Sequence, residues 1–513
     1  MSTRAVTNIK AEKVNPFVKI WRGICGYFRP LGQALIHGDV FTKLSFLLSG
    51  FGYFFHGHEQ EVLTHDVVPD EDGHPKSITI KSRRYVNQWL RGVFYLALEA
   101  LVIVALIFWG VPNFAKLSLN NLQVCTINED FEEICPPGGP DNAFLIVLFS
   151  ILTILILVFW LFIHLSSVKG VYRSECDIKE GKPIKSARQD VHDLLDEHFY
   201  ITTLALPVIG ILTFTLVPTL MMILIAFTNY GGKSGGETVQ IHNFSWVGFD
   251  NWGNLFSIGG GSSFLSVFGS QLLWTVIWAF FATITCFFGG LLLALLLNAK
   301  RTRFTKVWRT GFVLTIAVPQ FVSLMLIRYF LADEGIVNNL LIYTFHLIDK
   351  PIGFLSDPTI TKFTIILVNC WVGFPYLMLM ISGILLNIPA DLYESARIDG
   401  AGKAKMFWSI TMPYILQVCT PYLISSFVSN INNFNVIYLL TADSVSSNQA
   451  YIDVSARESD LLITWLYNMI AGGAKHEYYM ASIVGIIMFT ISTIFTLITF
   501  TQSTKGDRER RLQ

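Results

Sequence analysis

The sequence predicts an all-α membrane protein with eight transmembrane helices, and three observations predict it. Its 513 residues are 52% hydrophobic and only 14% charged, where a soluble domain carries about 25% charged residues. The mean hydropathy is +0.51. Runs of roughly 20 apolar residues recur, the length a helix needs to cross about 30 Å of hydrocarbon. Lys and Arg segregate to alternate connecting segments, as the positive-inside rule requires.

The runs fall at about 93–111, 143–165, 203–228, 271–298, 308–331, 363–387, 413–440 and 480–502. With the N-terminus inside, the inner segments hold 30 of the 37 Lys and Arg and the outer segments hold 6, with Arg328 inside the fifth run. Both termini and the connector before the seventh run are therefore expected in the cytoplasm. Residues 1–92 form a cytoplasmic or interfacial region. Within it, residues 14–58 read as an interfacial or partly buried helical segment. No signal peptide is expected, because the first 40 residues are basic and mixed. Glu99 lies inside the first run, where a lone carboxylate is costly, so it should face protein or sit near the inner edge.

The cysteines form no CxxC pair, which argues against a zinc or redox site. Cys286, Cys370 and Cys419 lie in apolar runs and read as packing residues, whereas Cys125 and Cys135 share one loop and can pair if it faces an oxidising side. The segment GGKSGGE suggests a phosphate loop, but Phe227 stands where that pattern needs glycine, and a flexible outer linker is the better reading. No nucleotide site is expected in this chain. Asn243 begins a glycosylation sequon, a match too short to carry weight. Runs three to eight contain no Asp, Glu or His. Ion-coupled transporters usually place such groups within the membrane, so energy is expected from elsewhere.

Polar groups cluster in two runs. The sixth contains Val372, Gly373, Pro375 and Tyr376, and Pro375 is expected to open the helix ladder and expose a cavity. The seventh contains Ser426, Ser429, Asn430 and Asn433 at i, i+3, i+4, i+7 spacing, one helical face. Such a stripe is expensive against lipid. It serves either interhelical hydrogen bonding or a polar pocket whose hydroxyls and amides suit a neutral polyhydroxylated solute such as a sugar.

Between these runs lies IPADLYESARIDGAGKAKMFWSITMP, residues 388–413. Asp391 reads as the N-cap of a short helix, Asp399-Gly400-Ala401-Gly402 as a sharp turn, and Met406, Phe407 and Trp408 as a second helix entering the next run at Pro413. The shape reads as a docking knob, or as an ordinary connector.

This stretch resembles the EAA motif, EAA-x3-G-x9-I-x-LP, of the permease subunits of ATP-binding-cassette importers. Glu394, Ala396, Gly400, Ile410 and Pro413 fall at the right spacing, while Ser395 and Met412 depart mildly from it. From about residue 200 onward, AVPQFVS, LSDPT, VNCWVGFPYLMLM and SSFVSNINNFNVIYLLT resemble the MalF-like branch, in the Gram-positive form without a large extracellular domain.

The resemblance implies a type I ABC importer permease core at 200–503, two extra N-terminal spans at 93–165, a coupling loop at 389–413 and a cytoplasmic tail at 504–513. It assigns ATPase coupling to Glu394, Ser395, Ala396, Asp399, Gly400, Ile410 and Pro413. It assigns sugar contacts to Val372, Gly373, Tyr376, Ser426, Ser429, Asn430 and Asn433. Ser429 stands where the family can have an aromatic ring.

The implied function is that of a non-enzymatic subunit of an oligosaccharide importer, maltose or maltodextrin being the first expectation and galacto-oligosaccharides the alternative. An ion-coupled secondary transporter and a non-transporting receptor are the rivals from other classes. The implied partners are a second, MalG-like permease, two ATPase subunits that hold ATP and Mg, and an extracellular solute-binding protein. The implied setting is the lipid bilayer of a bacterial plasma membrane. No cofactor, metal or nucleic acid is expected on this chain itself.

Overall fold

The computed structural model describes residues 16–69, 75–120, 122–123, 126–127, 133–134, 140–197, 199–234, 237–239, 241–256, 262–299, 301–442, 444, 446–471 and 477–510. The Cys125 and Cys135 pairing lies outside the described residues. The chain forms two compact units, Met1–Met221 and Met222–Gln513.

The first unit opens with α1 (Pro16–His37) and α2 (Val40–Leu44), followed by a 3-10 turn at Phe51–Phe54. These are the helical pieces expected across 14–58. The all-α expectation then needs correction. β1 (Gly57–Pro69) pairs antiparallel with β2 (Pro75–Asn87), from Gly57 opposite Asn87 to Pro69 opposite Pro75. The sequence carries the signal, since β-branched residues recur on both sides of Asp72-Gly73, a dipeptide that favours hairpins. The ribbon is tied down near its open end. Gln60 Nε2 donates to Ile184 O and Gln60 Oε1 accepts from Ile184 N, both at 2.8 Å.

The long helices of this unit are α3 (Trp89–Ala115) and α4 (Ala143–Lys179), then the short α5 (Ala187–Leu195). The next helix, α6 (Phe199–Ile225), runs across the boundary between the units. Glu99 on α3 is buried and accepts from the Ser49 N–H at 2.5 Å. Its charge faces protein, as the cost of a carboxylate in lipid demands.

The second unit contains α7 (Ser262–Asn298), α8 (Thr305–Ala317), α9 (Gln320–Leu331), α10 (Pro358–Leu386), α11 (Ala390–Ile398), α12 (Met412–Ile431), α13 (Phe434–Thr441), α14 (Leu462–Ala471) and α15 (Tyr478–Arg510). Among the described residues six helices are long and apolar enough to cross a membrane: α3, α4, α6, α7, α10 and α15. The fifth predicted run is not one straight helix. Residues Thr305–Ala317 and Gln320–Thr344 meet at 95°. Pro319 has no N–H to continue the ladder and drives Val318 into the extended region, at ψ 128°. The seventh run is also divided, with α12 ending at Ile431 and α13 beginning at Phe434.

The centre of this unit is the contact of α7 with α10. A Cβ at Gly290 would lie 2.5 Å from Leu377 Cβ and 3.0 Å from the Leu377 carbonyl carbon. Only glycine admits that approach, the usual device for close helix packing in membranes. Phe287, Leu291, Met378, Ile381 and Ile415 fill the joint between α7, α10 and α12.

Residues 446–461 pack on the N-terminal third of α7. Gln271 Nε2 donates to Arg457 O at 2.5 Å, and Trp274 Nε1 donates to Ser459 O at 3.2 Å. Asp460 is buried there and accepts from Arg457 N and Asn468 Nδ2, each at 2.8 Å. Burial pushes its pKa up to about 6 from 3.8, against the opposing pull of Arg457. A folded-state value above the unfolded one means that this group adds stability at low pH and loses it as pH rises through about 6. Ionisation costs up to ~3 kcal/mol. Thermal unfolding of the detergent-solubilised protein should therefore fall in midpoint as pH rises from about 4 to about 6. Asp460→Asn should flatten that part of the profile, and an unchanged profile would show that Asp460 is not its source.

Candidate functional site

The amides of the seventh run meet α7 at Trp278 and Thr283. Trp278 on α7 is fully buried, and its Nε1 donates to Asn430 O at 3.1 Å. Asn430 Nδ2 donates to Thr283 Oγ1 at 3.1 Å, and Asn433 Nδ2 donates to Asn430 Oδ1 at 3.3 Å. The two amides are thus brought together and tied to α7. Asn433 is not on the face of α12, as the spacing suggested. It sits beyond the helix end and caps α13, its Oδ1 accepting from Val436 N at 3.3 Å. Consecutive asparagines break the ladder because their side chains compete for backbone groups.

Ser429 is exposed and Ser426 half-buried. Tyr376 on α10 is 49% exposed. Its ring lies 5.5 Å from that of Tyr422 on α12. Tyr422 precedes Ser426 by one helical turn, so extending the stripe backward by four residues would have found it. Thr283 and Trp278 carry no such signal, since they belong to a different run.

Two expectations about α10 are corrected. Pro375 lies within one continuous helix from Pro358 to Leu386 and is buried. Neighbouring helices stabilise such a proline within a membrane span. Gly373 opens no cavity: a Cβ there would lie 2.6 Å from Cys286 Sγ, so its missing side chain admits α7. Val372 packs against the cluster that contains Trp278 and Ile365. Gly373 and Val372 are half-buried, against Cys286 and against the Trp278 cluster, while Tyr376 and Ser429 are exposed. Cys286 and Cys419 are buried and Cys370 is half-buried, all as free thiols.

The connector forms a second site. α11 begins with Pro389 as N-cap, and Asp391 lies in the first turn instead of capping it. The proline presets the backbone for helix entry, and the acid favours the positive end of the helix dipole. The far end is closed by two reverse hydrogen bonds: Ala401 N donates to Ala396 O at 2.9 Å, and Gly400 N donates to Arg397 O at 3.0 Å. This is a Schellman closure with Gly400 in the left-handed region, at φ 77°.

Residues Lys403–Met406 then continue through a π-helical turn, Phe407–Thr411, into α12. Tyr393 OH and Thr411 Oγ1, 2.8 Å apart, pin α11 to the foot of that helix. Glu394, Ser395, Asp399, Gly400 and Pro413 are exposed, and Ala396 and Ile410 half-buried. Ile398 is 87% exposed and Trp408 65%. Ile398 ends α11, and Trp408 lies in the π-helical turn that leads into α12.

Residues 286–502 match the family described as binding-protein-dependent transport system inner membrane component. The chain is similar to the maltodextrin transport system permease protein MalC of Streptococcus pneumoniae, with 29% identity over 83% of this chain and 94% of that one. It is similar to the galactooligosaccharides transport system permease protein GanP of Bacillus subtilis, with 28% identity over 82% and 95%. It is also similar to the maltodextrin transport system permease protein MdxF of Bacillus subtilis, with 30% identity over 81% and 92%. Matches that cover nearly the whole of these relatives establish the family. The chain belongs to the binding-protein-dependent transport system inner membrane components, as a MalF-like permease subunit of the ABC importers, a multi-pass membrane protein and not an enzyme.

Proposed function

We propose that this chain is one of two permease subunits in an ATP-driven importer of maltodextrin-like oligosaccharides, with eight membrane crossings and both termini in the cytoplasm of a bacterium. The observation that carries this reading is the rigid, Schellman-closed connector with exposed Ile398 and Trp408, joined by unbroken helix to the foot of α12. The six long apolar helices supply six crossings, and the bent α8–α9 pair and the divided α12–α13 pair supply two more. The charge asymmetry then puts the connector inside.

An ATPase subunit would receive α11 in a cleft. Glu394, Ser395, Ala396, Asp399 and Gly400 would form the knob, and Ile410 and Pro413 its attachment. ATP and Mg would be bound by the ATPases, two copies per complex, and an extracellular binding protein would deliver the sugar. Closure of the ATPases would move the connector and bias the pathway toward its outward-open state, which requires contacts that differ between the two states. Sugar would meet Tyr376, Ser426, Ser429 and the Asn430–Asn433 pair. The names of MalC and MdxF support maltodextrin. A galacto-oligosaccharide is the second reading, supported by the name of GanP and by a hydroxyl at Ser429 in place of a stacking ring.

Recovery of this chain from native membranes in mild detergent should bring with it an ATPase and a second permease. A chain that comes down alone and moves solute in vesicles without ATP would overturn the reading. Gly400→Val places a β-branched residue at φ 77°, a strain of about 1–2 kcal/mol. That corresponds to a factor of about 5–30 in the population of the docked connector. Uptake should fall by a comparable factor while the protein remains in the membrane, and normal uptake would remove the coupling role.

Tyr376→Ala should lower transport of labelled maltotriose with the complex intact. Asn430→Leu should also weaken the α7–α12 joint, because it removes the amide's hydrogen bonds with Thr283 and Asn433. Unchanged uptake in Tyr376→Ala would move the sugar path away from α10.

A further inference from the structure

Three side chains from separate parts of the first unit converge at one point. Asp39 lies between α1 and α2, His56 precedes β1, and Glu175 lies one turn from the end of α4. A ligand atom of each lies within 4.8 Å of the other two. His56 is 6% exposed and Glu175 3%, and Asp39 is half-buried. His56 Nε2 stands 2.8 Å from Asp39 Oδ2.

Thr42 orients both carboxylates. Its N–H donates to Asp39 Oδ1 and its hydroxyl donates to Glu175 Oε2, each at 2.6 Å. The Asp39 N–H lies 3.1 Å from both oxygens of Glu175. Lys179 reaches Glu175 Oε1 along a largely exposed side chain.

An ion-pair network accounts for Lys179 with Glu175 and for His56 Nε2 with Asp39, but not for the second nitrogen of the imidazole. His56 Nδ1 is buried and has no hydrogen-bond partner. Two carboxylates sit against one another with a single exposed ammonium between them and the solvent. One imidazole and two carboxylates within this distance are the donor set of first-row divalent metals. Hydrogen bonds from a neighbouring residue onto the ligating carboxylates are the outer support such sites have.

We propose that Asp39, His56 and Glu175 bind a divalent first-row cation of the zinc or manganese class, water completing its coordination, and that the cation clamps the N-terminal segment onto α4. Lys179 competes with it for Glu175. Spacing could not reveal this set, since His56 and Glu175 are more than a hundred positions apart.

The test uses the untagged protein in detergent, stripped with a chelator and titrated with Zn2+ against a chromophoric competitor. Co2+ absorption provides a second reading. One equivalent should bind to the parent protein. His56→Ala and Glu175→Gln should each weaken binding by at least ~100-fold, and Thr42→Val, which removes only the outer support, by roughly 10-fold. Lys179→Ala, on an exposed side chain that leaves the fold intact, should tighten binding several-fold. A parent protein that takes up no more Zn2+ than His56→Ala would overturn the proposal. Weaker binding in Lys179→Ala would overturn it too, and that variant remains informative if His56→Ala fails to fold.

Discussion

The second unit depends on the close approach of α7 and α10. At Gly290 and Gly373 each helix presents no side chain to the other, and the space is taken by Leu377 in one place and Cys286 Sγ in the other. Lipid offers no hydrophobic drive for helix association, so contact area and close packing must supply it. With α7 and α10 locked, α12 has one groove to occupy, and Ile415 and Cys419 fill it at full burial. The Trp278 indole then meets the last carbonyls of α12, and the Asn430 amide meets Thr283. The position of the polar group follows from the glycine contact.

The connector and the polar group share one mechanical element. From Lys403 to Ile431 the backbone is helical without interruption, passing through the π-helical turn at Phe407–Thr411. At 1.5 Å per residue that is about 40 Å. One end of this rod is held by Tyr393 to the foot of α11, and the other is held by Asn430 to α7. Regular helix stops at the Asn430–Asn433 break, between Ile431 and Phe434.

Much of the candidate site was legible because its chemistry is local. Gly400 ends α11 by a closure that uses only residues 396–401, and Asp399-Gly400 announces that turn in the sequence. The amides at 430 and 433 are visible in the sequence as polar groups within an apolar run, and each hydrogen-bonds within the protein. What spacing misjudged was their geometry, because it assumes the helix persists. Asn432 and Asn433 end it, and Asn433 becomes a cap. Pro375 was misjudged in the opposite sense. A proline lowers helix stability locally, but burial among neighbouring helices holds α10 in one piece.

The sequence by itself determined which segments are apolar enough to enter a membrane, how the charges alternate between the connecting segments, and the turn of the connector. Those properties depend on composition and on contacts between residues a few positions apart. Only the tertiary structure decided that Gly373 lies against Cys286 of α7, that Trp278 and Thr283 complete the polar group, and that Asp39, His56 and Glu175 meet. Each of these is a contact between residues far apart in the chain. Such contacts depend on which helices pack together, and no local pattern of residue types encodes that.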